Sequence, residues 1–500
     1  MKKLSFLART SLLLGFLFAL DKVLAFGRTA LSLDRFGLTD QFDAFNAANN
    51  LPDLLFALIS GGALAMAFIP VLSETLTLKG RSALWDVFSR VANLAFIATG
   101  TAAILVAVFA GQIVKAEVGI TPGFTPELQD LVADLMRLNL VSTLIFSISG
   151  LVMAGLQANQ HFLFPALAPI MYNVGQLFGV IFLAPRFGVH GLVYGVMIGA
   201  TLHLLIQVPA LVKYKFRWTP SLKINNPEVL EALKLVGPRL LTVFMIQLMY
   251  IARDNLASRL GQEGAVSTLT VGWMIMQVPE TILGTAIATA LLPTLSEHAA
   301  RLDRDGFRQI IEKALRVLIS LTLPVAAVMA AGLPPLVRLV FGLDEADASL
   351  LTLTTRIYLI TLCGYCINEV AARAFYARKE ALYPLATVAI RLVIYLAIGI
   401  SAVAFFRKVG VPAIAFAEIS LTIEAVIMFG WLSRKLHERI KIDGALLKGL
   451  AAALVGGFVA YALAVTVPGS TVLTALLGMI VGGSVALAIV WKEVRLLLQL

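Results

Sequence analysis

Apolar runs of roughly twenty residues or more, each followed by a short polar connection, recur from one end of the chain to the other. Runs of that length cross a bilayer as α-helices, because a helix bonds all of its backbone groups within itself. Strict period-two alternation is missing, so a membrane β-barrel is excluded. The pattern predicts an all-α polytopic membrane protein of about fourteen transmembrane helices. They fall near residues 6–33, 44–73, 87–115, 129–157, 163–185, 190–212, 237–259, 266–296, 310–342, 350–377, 382–406, 411–433, 445–467 and 470–491.

Composition agrees. The 500 residues are 59% hydrophobic and only 14% charged, against about 25% charged in soluble proteins. The net charge of +10 raises the question of nucleic acid, but the basic residues sit in short loops between spans. That is the positive-inside pattern, and no nucleic-acid partner is expected. Loops on the N-terminal side hold roughly nineteen Lys and Arg, the opposite loops roughly eight, which puts both termini in the cytoplasm of a cell whose cytoplasmic membrane holds the protein. The start, MKKLSFLARTSLLLGFLFAL, has the basic and apolar regions of a signal peptide but no small-residue cleavage site. It reads as a retained first helix. Cys363 and Cys366 lie in an apolar run without partner Cys or His residues and read as packing groups.

An internal repeat is visible. AFIPVLSE (67–74) returns as ALLPTLSE (290–297), 223 positions later, and GLQANQHFLFP (155–165) is echoed by AFYARKEALYP (374–384), 219 positions later. Two matches at nearly one offset indicate duplication of a six-helix unit, and an even helix number makes the copies parallel. The expected division is an N-half bundle over 1–212, a cytoplasmic linker and amphipathic segment over 213–236, a C-half bundle over 237–433, and two extra C-terminal helices over 434–500. Gly191, Gly195 and Gly199 form GxxxGxxxG, a face for close helix packing.

Two parallel six-helix bundles are the plan of an alternating-access transporter, and ionisable groups at membrane depth are the candidates for its site. Each costs about 2.5–3.5 kcal/mol on insertion scales unless it faces a cavity or a partner. Asp134 and Arg137, at i and i+3, are explained by a local ion pair. Arg253 and Asp254 are neighbours and are expected to point in different directions, one toward a cleft. Lys22 and Arg28 in the first span, with Asp43 placed to neutralise Arg28, suggest a surplus of positive charge suited to a phosphate or pyrophosphate. Asn49, Asp53 and Arg356 join the expected cavity set. The histidines are scattered, no Walker motif occurs and acidic pairs facing the cytoplasm are missing, so neither an enzyme nor a metal or cofactor is expected.

DKVLAFGRTALSLDRFG followed by FDAFNAANNLPDLLFALISGGALAMAFIPVLSE resembles the opening of MurJ-type (MviN) lipid II flippases of the multidrug/oligosaccharidyl-lipid/polysaccharide exporter superfamily. The similarity continues through TPGF (121–124), GLQANQHFLFPALAPIMYNV (155–174), VGPRLL (236–241), QVPETILGTAIATALLPTLSE (277–297) and FYARKEALYP (375–384). It implies fourteen helices, a cationic central cavity and a groove near spans 13 and 14 for a lipid tail. Arg28, Asp43, Pro52, Leu54 and Leu55 match the family pattern. Lys22 stands at the family's first-helix Arg, while Phe56 and Ala57 replace an Arg pair, Gly61 a Glu and Met274 an Arg. Gln277 is a residue many members use, so the resemblance adds it to the expected cavity set, and Ala252-Arg253-Asp254 reverses the family's acid–base order.

Three functions follow from the resemblance: a flippase for lipid II, a flippase for another polyprenyl-linked glycan, or a non-transporting scaffold of a cell-wall synthesis complex. The expected partners are a polyprenyl-linked glycan lipid and membrane lipids, with cell-wall synthesis proteins as further candidates. A monomer is expected.

Overall fold

A computed structural model describes residues 6–58, 63–222, 227–466 and 471–496, without the side chains of 6–15, 63–67 and 227–239. Gly61 therefore lies outside the described residues. The described chain is helical throughout, with no strand among the described residues. It packs into two compact units, Met1–Glu263 and Gly264–Leu500. The first contains α1 (Phe6–Phe36), α2 (Asp40–Ala48), α3 (Asn50–Phe56), α4 (Ala63–Lys79), α5 (Arg81–Val108), α6 (Ala110–Lys115), α7 (Pro126–Ala158), α8 (Leu163–Phe178), α9 (Ala184–Phe187), α10 (Val189–Leu205), α11 (Val208–Lys213) and α12 (Pro227–Ser258). The second contains α13 (Ala265–Glu280), α14 (Ala286–Ala300), α15 (Arg304–Phe341), α16 (Glu345–Ala377), α17 (Leu382–Phe405), α18 (Val411–Ala415), α19 (Ile419–Leu436), α20 (Ala445–Thr466) and α21 (Thr471–Val494).

Twelve segments among the described residues are long and apolar enough to span a membrane. They correspond to the third through fourteenth expected spans. The first expected span is the single 31-residue helix α1, and the second is divided among α2, α3 and α4. Helix α12 packs on α3, α4 and α5, so the boundary drawn by packing falls one helix beyond the 213–236 linker.

The repeat extends into backbone geometry. In unit 1, α7 ends at Gln160 with φ 57°, and in unit 2, α16 ends at Lys379 with φ 59°, 219 positions later. Both ends close with the same pair of bonds: Gln160 N–H to Gln157 O and His161 N–H to Leu156 O, against Lys379 N–H to Tyr376 O and Glu380 N–H to Phe375 O. This is the left-handed helix stop that satisfies terminal carbonyls. Gly80 and Leu302, Lys215 and His437, and Gly188 and Gly410 are further positive-φ pairs, each 222 positions apart. The side chains at these turns diverge. Lys435 donates to Glu380 at 2.8 Å in unit 2, whereas burial and the Lys213 ammonium lower the pKa of His161 in unit 1.

Sequence also dictates one close helix contact. Gly175 of α8 and Gly179, just past its end, meet Gly199 and Gly195 of α10 backbone to backbone, as the GxxxGxxxG face predicts. In unit 2, α20 and α21 pack through Gly456 and Gly482 and dock on α15. At the Lys/Arg-rich end, Arg316 of α15 bonds Glu493 of α21 at 2.9 Å and Asp443 at 2.8 Å. Lys448 of α20 reaches the same Glu493 at 2.6 Å. A Cβ at position 195 would stand 2.7 Å from the Gly179 Cα. Gly195→Leu is therefore expected to cost at least about 1–3 kcal/mol through overpacking. It should lower the thermal midpoint in detergent, while Gly430→Ala, at a position open to 4 Å, should not.

Candidate functional site

The polar stretch DAFNAANNLPDLL builds a break between α2 and α3. Pro52 has no N–H to offer the Ala48 carbonyl, so the helix cannot run through regularly. Three asparagine side chains serve the backbone there: Asn46 Nδ2 donates to Phe42 O, Asn49 Nδ2 to Phe45 O and Asn50 Nδ2 to Ala47 O, all at 3.0 Å. Two of them also reach other helices. Asn139 of α7 donates to Asn49 Oδ1 at 2.7 Å, and Asn50 donates to Asp254 Oδ2 of α12 at 2.7 Å.

The expected site residues separate into distinct places. Arg28 of α1 donates to Gln176 Oε1 of α8 at 2.6 Å. The Asp21 and Asp53 carboxylates and the Tyr172 hydroxyl act on its charge. Asp21 in turn accepts from Asn173 Nδ2 at 2.8 Å. Asp53 and Lys22 are solvent-accessible, whereas Asp43, expected to neutralise Arg28, is completely buried in the first turn of α2. The Arg28 guanidinium thus stands against two acids, Asp21 and Asp53, so its immediate neighbours carry no positive surplus.

Arg253 and Asp254 also depart from expectation. Both are buried, and Arg253 Nε donates to its neighbour's Oδ1 at 2.9 Å, with the guanidinium over the Tyr250 ring. The two side chains therefore meet each other rather than diverge. In unit 2, Gln277 and Met274 are half-buried on α13. Arg356 does not join Gln277: its Nε donates to the Ala330 carbonyl of α15 at 2.8 Å, and it lines a groove formed with α20 and α21. A second, apolar groove of about 360 Å³ lies along α15 and α21, lined by Leu321, Val328, Met329, Met479 and Ile480. Asp134 and Arg137 form the local ion pair expected of them, at 2.6 Å.

Gln176 was not visible to sequence reasoning. Its amide orientation follows from chemistry, since Arg28 can only donate and must meet the amide oxygen. The Nε2 group is then left buried without a hydrogen-bond partner among the described residues. A neutral residue fifteen positions after an unremarkable turn carries no charge signal, and only its position across from Arg28 marks it. Phe56, at one of the family's Arg positions, stands edge-on to Phe146 at 5.1 Å between ring centroids, and Phe146 meets Tyr172 at 5.0 Å. An aromatic ladder thus leads to the Arg28 neighbourhood where a second cation was expected.

Unit 2 buries a separate charge network. Arg391 of α17 bonds Glu418 Oε2 at 2.8 Å and lies 3.7 Å from Glu424 of α19, which accepts from Thr387 at 3.1 Å. Among the described residues no group of three or more His, Cys, Asp or Glu is arranged to hold a metal.

A chain that is helical throughout its described residues, with twelve segments able to span a membrane and matching turns in its two units, is a polytopic α-helical membrane protein. Its fold matches that of a multidrug resistance MATE family transporter of the MOP superfamily in an inward-facing conformation, with a TM-score of 0.71 at 15% identity, over 83% of this chain and 94% of that one. Within that class, the chain belongs to the lipid II flippase MurJ family, whose model matches residues 34–480. The lipid II flippase MurJ of Burkholderia cenocepacia is 29% identical over 416 residues, 81% of this chain and 78% of that protein. A probable lipid II flippase MurJ of Buchnera aphidicola is 26% identical over 427 residues, 84% of this chain and 82% of its own. A structure of a lipid II flippase MurJ in an inward closed conformation superposes with a TM-score of 0.80 at 21% identity, covering 97% of this chain and all of that one.

Removing Arg391 would leave Glu418 and Glu424 buried without their cation. Arg391→Leu should therefore cost about 3–5 kcal/mol. Arg391→Leu combined with Glu418→Gln and Glu424→Gln should recover most of it, read as the thermal midpoint of the purified protein.

Proposed function

We propose that the protein moves lipid II, a polyprenyl-diphosphate-linked peptidoglycan precursor, from the inner to the outer leaflet of the cytoplasmic membrane, with both termini in the cytoplasm. The observation that carries this reading within the family is the Arg28 site, a guanidinium on α1 held to α8 by one bond. Beside it stands an unused buried amide donor, Gln176 Nε2, and Lys22 lies accessible on the same helix.

In this reading Arg28 offers its remaining N–H groups to the diphosphate, and Lys22 adds a mobile ammonium. Asp21 and Asp53 balance these cations when the site is empty. When the headgroup arrives, their negative charge opposes it, which favours release as well as capture. The apolar groove along α15 and α21 takes the prenyl tail. Rocking of the two halves exchanges access from one face to the other. An inside-negative membrane potential drives an anion outward, contributing about 2.3 kcal/mol per charge per 100 mV.

A second reading, another polyprenyl-linked glycan, draws on Phe56, Ala57 and Met274, which leave three family cation positions uncharged. Expression in cells depleted of their own lipid II flippase separates the two. Rescue of growth by the wild-type chain and its loss in Arg28→Ala, at equal membrane abundance, is the expected result. No rescue by a well-expressed wild type would discard lipid II as the cargo, and undiminished rescue by Arg28→Ala would discard the role of Arg28. Phe56→Arg is expected to restore a family cation and leave rescue intact or stronger.

A further inference from the structure

Helix α15 carries two adjacent prolines near its end, Pro334 and Pro335. Proline has no N–H, so the Ala330 carbonyl loses the donor that a regular helix would supply from position 334. Arg356 Nε on α16 takes that place at 2.8 Å. This bond explains why a donor is needed, but a guanidinium has five N–H groups and the carbonyl uses one.

The rest of the guanidinium belongs to a groove of about 900 Å³ between α15, α16, α20 and α21, room for roughly thirty waters at about 30 Å³ each. Helix α16 presents Glu345, Ser349, Thr352 and Arg356 to it, one stripe at helical spacing. Arg338, exposed in the last turn of α15, lines the same groove. The opposite walls are apolar, with Tyr461 and Val465 of α20 and Val472 of α21. Neither arginine forms an ion pair among the described residues, Glu345 included.

Depth fits a lipid phosphate. With 33 residues, α16 is about 50 Å long, so it overhangs a hydrocarbon core of about 30 Å by roughly 10 Å at each end. Arg356 is eleven residues and about 16 Å along it, so a centred helix would set it a few ångströms inside the hydrocarbon edge, with the phosphate layer within reach of a side chain of this length.

We propose that this groove binds an anionic phospholipid, with Arg338 and Arg356 holding its phosphate and the walls from α20 and α21 covering its upper acyl chains. Two cations against one acid favour a lipid with a net negative headgroup over a zwitterionic one. The site lies wholly in unit 2 and does not depend on which glycan is transported.

Native mass spectrometry of the purified full-length protein, incubated with phosphatidylglycerol or phosphatidylcholine, provides the test. Wild type should retain phosphatidylglycerol preferentially. Arg338→Ala, a change at an exposed position that leaves the helix contacts in place, should lose roughly tenfold of that retention, the loss of one charge-assisted contact. Arg356→Lys should keep part of it. Equal retention of the two lipids, or wild-type retention in Arg338→Ala, would overturn the proposal. So would displacement of phosphatidylglycerol by farnesyl diphosphate at equal concentration, which would assign the groove to the cargo. Because lipid retention is read without transport, failure here and failure of the flippase reading are separate results.

Discussion

In hydrocarbon a backbone carbonyl that loses its helical donor has no water to replace it, and each such group costs several kcal/mol. Several irregularities described above bear on that constraint. The proline break between α2 and α3 is lined with asparagines whose amides serve Phe42, Phe45 and Ala47. The proline pair in α15 is met by a guanidinium from α16. Helices that stop at the bundle ends close with left-handed turns whose bonds recapture the last carbonyls. Polar side chains in these spans are therefore first a backbone requirement, and the groups left over after it is met are the ones available for a ligand.

That ordering explains what could be read from sequence. The spans, the recurrence of the same turns in both units and the Gly191–Gly195–Gly199 contact are legible because each rests on local periodicity, sequence match or residue size. The azimuth of a charged residue was not. A helix with lipid on one side and protein on the other is apolar on both, so amphipathic spacing does not orient it. Asp43 and Asp53 lie on the same polar stretch, yet one is completely buried and the other accessible. Arg253 and Asp254, adjacent in sequence, were expected to diverge, and instead the flexible arginine folds back on its neighbour. Charge alone places Arg356 in a cavity, and only the fold brings it to the carbonyl that Pro334, one helix earlier, leaves without a donor.

The replacement of family charges is also easier to understand in space. Phe56 is not a vacancy where an arginine was; it joins Phe146 and Tyr172 in a line of edge-on rings. The site keeps a single well-held guanidinium, and its acids nearly cancel its bases. As the proposed headgroup site, it is expected to bind a dianion less tightly than a cluster of arginines would, which suits a carrier that must let go on the far side.

The bond from Arg356 to Ala330 also ties two positions together over evolutionary time. If Pro334 drifted to a residue with an N–H, the Ala330 carbonyl would return to its own helix and Arg356 would lose its anchor. If Arg356 drifted first, the carbonyl would be stranded. In descendant lineages the two sites should change together or stay as they are, although they stand on different helices twenty-two residues apart.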